Sequence, residues 1–308
     1  MSAPRLALLG GQDEPEIAAL RAELRRRHID PLLIDTVALP AAGRMTFEFG
    51  RWRYEDARLS ELRGLFIRRL FIHPLDPACA GPLESDPRAT VAVLREKESL
   101  LRSMLTACAA RGAAMINPPE TLTCHFLKTE TLRRLAETGL PVPDTLTTND
   151  PGAVRTFAAR HPEVIYKPLS GGAAARLLTE GDLRPERLDQ LRRSPVLFQE
   201  RVRGVDVRAY TLAGRLIAGG LLDCDAVDFR TTGRAFTSDP LLEGERQAAI
   251  QAARATGLTF AGIDLKRSPD GGCVLLDVNP APMFAAFERS TGTDISGALA
   301  EHLAGLCG

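Results

Sequence analysis

The chain has 308 residues, 44% of them hydrophobic and 25% charged, which is enough for two or three subdomains with their own cores. Lysine plus arginine number 39, as do aspartate plus glutamate, and this balance excludes a global attraction to nucleic acid or to an anionic membrane. No apolar run reaches the roughly 18 residues that span a bilayer, the start lacks a signal-peptide pattern, and the six cysteines form no C-x-x-C pair. We therefore expect a cytoplasmic protein with reduced thiols.

The first third of the chain has the pattern of a small open α/β domain. A strand, an amphipathic helix and a second strand follow one another, which is typical of a parallel sheet. Pro118 and Pro119 mark the predicted boundary, so the first domain is predicted to span 1–118. The predicted elements are strands at 5–9, 31–35 and 64–70, helices at 14–27 and 89–111, and a hairpin or edge strands at 47–56.

The rest of the chain mixes helices with antiparallel hairpins, and this change of pattern predicts separate domains at 119–194 and 195–308. A helix beginning near Phe126 has a clear stop, because Gly139 suits the position after a helix and Pro141 follows it. The other predicted elements are strands at 164–169 and 195–202, hairpins at 206–222 and 261–280, and helices at 243–257 and 295–306.

The last predicted hairpin carries the strongest chemical signal. Side chains alternate between the faces of a strand, so Asp277 and Asn279 share a face, and the turn brings Asp264 opposite or near Asp277. The other face of this strand is predicted to be apolar and to carry Val274, Leu276 and Val278. Carboxylate and amide oxygens are the ligands that Mg²⁺ prefers, together with substrate phosphates. Alternatively, these polar residues form the solvated face of a half-buried hairpin.

Two lysines are candidate phosphate ligands. Lys167 ends an apolar strand just before Gly171 and Gly172, and glycines let backbone N–H groups approach phosphate oxygens. Lys128 lies near the start of a helix, where a cation opposes the helix dipole and a phosphate would remove the conflict. The alternative for each is an ordinary solvated surface lysine.

The segment after the predicted strand 195–202 has the residues of a nucleoside site. Backbone groups of a strand that leaves the core can bind a flat base, and Asp206 can accept hydrogen bonds from ribose hydroxyls. Arg208 can hold phosphoryl oxygens with two hydrogen bonds. An exposed Asp-x-Arg can equally be a surface ion pair.

Taken in chain order, these segments resemble the ATP-grasp superfamily over roughly residues 120–308. The motifs are Lys128, Y-K-P with Lys167, S-G-G, Q-E-x-V, D-V-R, G-I-D and D-V-N-P. TNDP, FIRRL, AVDFR and MFAAFERSTGTDI make the chain more similar to RimK-like ligases, and in particular to MvdD-like graspetide or microviridin-type enzymes that macrocyclise ribosomal peptides. The resemblance implies two α+β subdomains that grip ATP, preceded by a small α/β pre-grasp domain.

The resemblance also implies roles for individual residues. The nucleotide-binding positions are Lys128, Lys167, Ser170, Gly171, Gly172, Glu200, Val202 and Asp206, where Glu200 and Val202 act through their backbone. The metal positions are Asp264, Asp277 and Asn279. The catalytic positions, which steady the transferred phosphoryl group or the substrate carboxylate, are Arg208 and Arg230. The superfamily usually has glutamate at the position of Asp277, which puts the metal geometry in question.

The chemistry implied is a ligase reaction that needs ATP and Mg²⁺, or Mn²⁺ in its place. A carboxylate is activated as an acyl phosphate, an amine or hydroxyl attacks it, and ADP and phosphate are released. We expect a carboxylate-bearing peptide or protein substrate, with Arg68, Arg69 and Arg230 available for its acidic side chains, and a homodimer. The alternatives are a RimK- or LysX-like ligase that adds a free amino acid to a small molecule or protein tail, and a catalytically silent ATP-binding module.

Overall fold

The computed structural model describes residues 5–70, 72, 79–170, 173–222, 227, 235–238 and 240–307. The chain divides into two compact units. The first contains Met1–Glu120, Met283–Ala285 and Asp294–Gly308, and the second contains Thr121–Pro282 and Ala286–Thr293. Among the described residues, no helix has the length and apolar character needed to cross a membrane.

The first unit is built on a parallel four-stranded sheet in the order β2-β1-β6-β7. Every residue of β1 is buried, as the apolar segment predicts. The predicted helix at 89–111 begins two residues early, because Asp86 caps it by accepting a hydrogen bond from the N–H of Ala89. The elements are β1 (Leu6–Gly10), α1 (Pro15–Arg26), β2 (Leu32–Asp35), β3 (Met45–Glu48), β4 (Arg51–Tyr54), β5 (Ala57–Arg58), β6 (Gly64–Ile67), α2 (Ala80–Ser85), α3 (Pro87–Ala109) and β7 (Ala114–Ile116). β3, β4 and β5 form a separate antiparallel sheet.

The second unit begins with an antiparallel sheet of short strands in the order β10-β9-β11-β8, called here the short-strand sheet. Its helices cover one face with a core of Val154, Phe157, Val164, Leu188, Leu191 and Phe198. The elements are α4 (Lys128–Glu137), β8 (Thr145–Thr148), α5 (Pro151–Arg160), β9 (Val164–Lys167), β10 (Arg176–Leu177), α6 (Pro185–Leu188) and β11 (Val196–Glu200).

The domain boundary predicted at 194 does not follow this sheet. β11 hydrogen-bonds to both β8 and β9, so residues assigned to the third domain complete the sheet of the second. The C-terminal helix α9 is likewise assigned to the first unit, where it packs against α1. Which strands pair and where a helix packs depend on tertiary structure. The change from helices to hairpins along the sequence does not predict either.

The second sheet of this unit, called here the long-strand sheet, is antiparallel with the order β13-β12-β14-β15. One face packs on α7, which ends at Gly257 in the left-handed region with φ of 72°. The elements are β12 (Val205–Leu212), β13 (Arg215–Leu222), α7 (Glu243–Thr256), β14 (Phe260–Arg267), β15 (Cys273–Asn279) and α8 (Ala285–Thr291). The last helix of the chain, α9 (Ile295–Gly305), belongs to the first unit.

The predicted alternation of side chains along β15 is wrong because the strand contains a β-bulge. The register shifts between Asp264, which faces Asp277, and Leu265, which faces Leu275. Leu275 and Val278, each 1% exposed, therefore form the apolar face, and neither Val274 nor Leu276 belongs to the core. One extra residue on β15 breaks the two-residue period, which a strictly alternating sequence pattern does not show.

Candidate functional site

The face of the long-strand sheet opposite α7 carries the polar residues of three neighbouring strands. The register places Asp264 directly opposite Asp277, as the predicted hairpin requires. Asn279 lies two residues beyond Asp277, and Arg208 on β12 lies opposite Asp264 from the other side. The sheet therefore brings together Arg208, Asp264, Asp277 and Asn279.

Lys128, the first residue of α4, reaches this face from outside the sheet. Its ammonium lies 2.5 Å from Oδ2 of Asp277, and its side chain is only 8% exposed. Burial by itself would raise the pKa of Asp277, but the ammonium groups of Lys128 and then Lys167 outweigh it and hold the pKa below its usual value. Both predicted phosphate lysines therefore favour the ionised form of the same carboxylate.

Arg208 is buried and paired with Asp264. Its Nε also donates to the hydroxyl of Tyr210 at 3.4 Å, and its guanidinium carbon lies 5.3 Å from the centre of that ring. Burial by itself would lower the pKa of Arg208, but the charge of Asp264 and the contact with Tyr210 raise it. Arg208 is therefore a fixed cation whose guanidinium plane is oriented by an acid and by a ring.

The oxygen atoms of this cluster fit a magnesium site in which substrate phosphates supply the remaining ligands of the ion. Asp264 and Asp277 supply two carboxylates in facing positions, and Asn279 Oδ1 accepts a hydrogen bond from the N–H of Ala281 at 2.9 Å. No group of three or more His, Cys, Asp or Glu side chains suited to a metal was found among the described residues. Because Mg²⁺ is often held by one or two carboxylates plus substrate phosphates, two carboxylates and an amide oxygen suffice.

The segment predicted to bind adenine, which contains Glu200 and Val202, joins the two sheets of the second unit. Glu200 ends β11, and its N–H donates to the carbonyl of Asp144, while its carboxylate accepts from the N–H of Asp144. No backbone–backbone hydrogen bond joins Val202 to another described residue, and its contact with a base stays a prediction. The amide of Glu200 is therefore already used, and any base contact at Glu200 falls to its carbonyl.

The structure says little about four other predicted site residues. Ser170 is exposed just after β9. Gly171, Gly172 and Arg230 lie outside the described residues, as do Asp228 and Phe229 of the AVDFR motif.

Asp206 already uses one of its carboxylate oxygens in an ion pair. It is buried, and its Oδ2 lies 3.0 Å from the ammonium of Lys266, its register partner on β14. Lys266 belongs to none of the sequence motifs, although one signal points to it: it lies two residues after Asp264 on a strand and therefore shares its face.

Arg68 and Arg69 of the first unit are both engaged by acids. Arg68 lies 3.6 Å from Glu16 and 3.8 Å from Glu14, and Arg69 lies 3.0 Å from Glu14. Glu16 is buried and also accepts hydrogen bonds from the N–H groups of Phe284 and Ala285. These contacts give the two arginines a structural role inside the unit, and substrate binding by them stays a prediction.

The chain matches a known protein family and resembles several known proteins. The family described as the RimK-like ATP-grasp domain matches residues 128–303, more than half of the chain. The beta-citrylglutamate synthase B of Danio rerio is 30% identical in an alignment of 210 positions, which covers 63% of this chain and 51% of that protein. The chain thus spans about half the length of this relative.

Among solved structures, the ATP-grasp ligase PsnB, in complex with a phosphomimetic variant of its minimal precursor, Mg and ADP, superposes with a TM-score of 0.90. It is 28% identical, and the match covers 99% of each chain. The macrocyclase MdnC of Microcystis aeruginosa, bound to its precursor peptide MdnA, superposes with a TM-score of 0.83 at 21% identity, covering 97% of this chain and 99% of that one. The expected ATP-grasp fold and the resemblance to peptide-modifying ATP-grasp enzymes are confirmed.

Proposed function

Because the chain belongs to the RimK-like ATP-grasp family, we propose that it is an ATP-dependent ligase that activates a carboxylate and joins it to an amine or hydroxyl. The observation that carries the proposal is the polar face of the long-strand sheet, where Asp264 and Asp277 face each other beside Lys128 and Arg208. Two carboxylates and two cations balance in charge, so the cluster can take up Mg²⁺ together with the phosphates of ATP.

The residues have separate tasks in this reaction. Asp264, Asp277 and Asn279 would hold Mg²⁺, which neutralises phosphate charge when bound. Lys128 and Lys167 would bind the phosphates, and Arg208 would steady the γ-phosphoryl group as it moves to a substrate carboxylate oxygen and leaves ADP. The nucleophile then attacks the acyl carbon, its proton is lost, and phosphate departs.

The substrate class proposed is a peptide or protein with acidic side chains. The structure of PsnB in complex with a variant of its minimal precursor matches this chain over 99% of both chains, and this agreement supports the choice. A second candidate is a ligase that joins a free amino acid to a small acid, which the similarity to beta-citrylglutamate synthase B favours. A homodimer, a cytoplasmic location and Mn²⁺ as a substitute ion remain expectations from the sequence.

Mass spectrometry of candidate substrates incubated with the protein, ATP and Mg²⁺ tests the proposal. A peptide ligase should remove the mass of one water for each crosslink within an acidic precursor peptide. A free-amino-acid ligase should instead add a residue mass to its acceptor. The matched control is Asp264→Asn, which keeps the size of the side chain but removes the charge that faces Asp277. ATP binding without turnover or product for any acceptor class would leave a silent nucleotide-binding module and overturn the ligase assignment.

A further inference from the structure

Lys266 is a buried lysine with two oxygen partners. Its ammonium lies 3.0 Å from Oδ2 of Asp206 and donates to the carbonyl oxygen of Gly204 at 3.1 Å. The lysine side chain is 7% exposed and that of Asp206 is 9% exposed. A buried ammonium is costly unless it is paired and hydrogen-bonded, so these two contacts determine where Lys266 can lie.

Gly204 belongs to the segment 201–204 that connects β11 to β12, and its backbone admits no other residue. Its φ is +139°, and an added Cβ would lie 2.0 Å from the carbonyl oxygen of Arg267. Arg267 is itself held by two contacts to the buried carboxylate of Glu245, at 2.6 and 2.8 Å. The turn at Gly204 is therefore seated against two consecutive residues of β14, one of which donates to it.

The other end of the connecting segment is also held. Arg201 and Arg203 both contact the carboxylate of Glu163, at 3.0 and 2.8 Å, and the N–H of Arg201 donates to the carbonyl of Glu163. Residues 201–204 are thus held by Glu163, which immediately precedes β9 of the short-strand sheet, and by Lys266 on the long-strand sheet. Such double anchoring is what a segment needs if its backbone is to present fixed groups to a flat base.

Lys266 also lies on the same face of the long-strand sheet as the metal cluster. Asp206 and Arg208 are two residues apart on β12 and share a face, so their Cα atoms are separated by about 7 Å. The same face therefore carries the Asp206–Lys266 pair in one row and Arg208, Asp264 and Asp277 side by side in the next row. This order matches a nucleotide that lies along the face with its ribose at one end and its phosphates at the other.

We propose that Lys266 is a positioning residue for the nucleotide. It orients the carboxylate of Asp206 toward ribose hydroxyls and holds the carbonyl of Gly204, which sets the position of the segment that contacts the base. The proposal rests on the nucleotide site of the function proposed above. If the Asp206–Lys266 ion pair served folding alone, replacing Lys266 would not change the preference of the site for one sugar over another. This preference can be measured.

Binding of ATP and 2′-deoxy-ATP in the presence of Mg²⁺, measured by calorimetry, tests the role without any ligase assay. Lys266→Met should weaken ATP binding about tenfold or more, since hydrogen bonds of a charged group are involved, and should lower the preference for ATP over 2′-deoxy-ATP. Asp206→Asn should lower the same preference. The double variant should lose little more than either single variant, because the two residues act as one contact.

The matched control is Lys97→Met in the first unit. Lys97 is also a buried lysine that donates to a backbone carbonyl, that of Val37, at 2.9 Å. Its loss should leave the affinities for both nucleotides unchanged, so it reports the general effect of removing a buried lysine. If Lys266→Met does not fold, Lys266→Arg gives the same measurement with the charge retained. It should also lower the sugar preference, because a planar guanidinium cannot occupy the position of the ammonium between both oxygens.

Wild-type ATP affinity and wild-type sugar preference in a folded Lys266 variant would overturn the proposal, as would additive effects of the Lys266 and Asp206 variants. Failure of the unmodified protein to bind ATP would instead overturn the proposed function. The two failures are therefore distinguishable in one set of titrations.

Discussion

Replacing Lys128 with methionine should destabilise the second unit and weaken ATP binding, because it removes the cation nearest to Asp277. The ammonium lies 2.5 Å from Oδ2 of Asp277, and the two side chains are 8% and 36% exposed. Exposed ion pairs contribute roughly 0.2–1 kcal/mol, whereas removing one partner of a buried pair costs about 3–5 kcal/mol. Water reaches Asp277 and screens the pair, so we expect a coupling energy of about 1–2 kcal/mol.

A double-mutant cycle of Lys128→Met and Asp277→Asn, followed by urea unfolding, measures this coupling directly. The pKa of Asp277 is lowered in the folded protein, so its contribution is present above the unfolded pKa of about 3.9 and is lost as the pH falls through the folded value. The coupling energy should therefore be constant between about pH 8 and pH 5 and should decline only in more acidic solution.

The control for this experiment is Arg133→Met on the same helix. Arg133 pairs with Glu130 and Glu137, and all three side chains are about half exposed or more. Its replacement should change the unfolding free energy by less than about 1 kcal/mol. Additive effects of the Lys128 and Asp277 variants at pH 7, within the roughly 0.3–0.5 kcal/mol typical of independent sites, would refute the contact and the electrostatic reasoning drawn from it.

Two further predictions concern the nucleotide and the metal. Lys167→Ala should weaken ATP binding about tenfold or more in calorimetry while leaving the unfolding midpoint near that of the wild type, and unchanged affinity would remove Lys167 from the phosphate site. Asp277→Glu should keep Mg²⁺-dependent ATP turnover, because the superfamily usually has glutamate there and the longer side chain still faces Asp264. Turnover reduced to the level of Asp264→Asn in a folded Asp277→Glu protein would show that the metal geometry differs from the one that the resemblance implies.

Local sequence was sufficient for most elements and for the general location of the site. The apolar strand at β1, the helix stop at Gly139 and the hairpin that carries Asp264 and Asp277 all follow from short-range patterns, and the structure has each of them. Several short elements were not predicted, among them β8 and α5, although Asp150 followed by Pro151 is a typical helix start and Asp150 caps that helix. The ordered motifs from Lys128 to Asn279 were specific enough to predict the family.

What the tertiary structure alone decided is which of these residues meet. The pairing of Lys128 with Asp277 joins positions 149 residues apart, and no local pattern encodes it. The bulge in β15, the place of β11 in the short-strand sheet and the burial of Asp206 against Lys266 depend in the same way on how strands pair. The physical reason is that periodicity and capping act over a few residues, whereas the partner of a buried charge is selected by the free energy of the whole packed unit. The sequence by itself therefore determined the types of residue at the site, and the fold determined their partners.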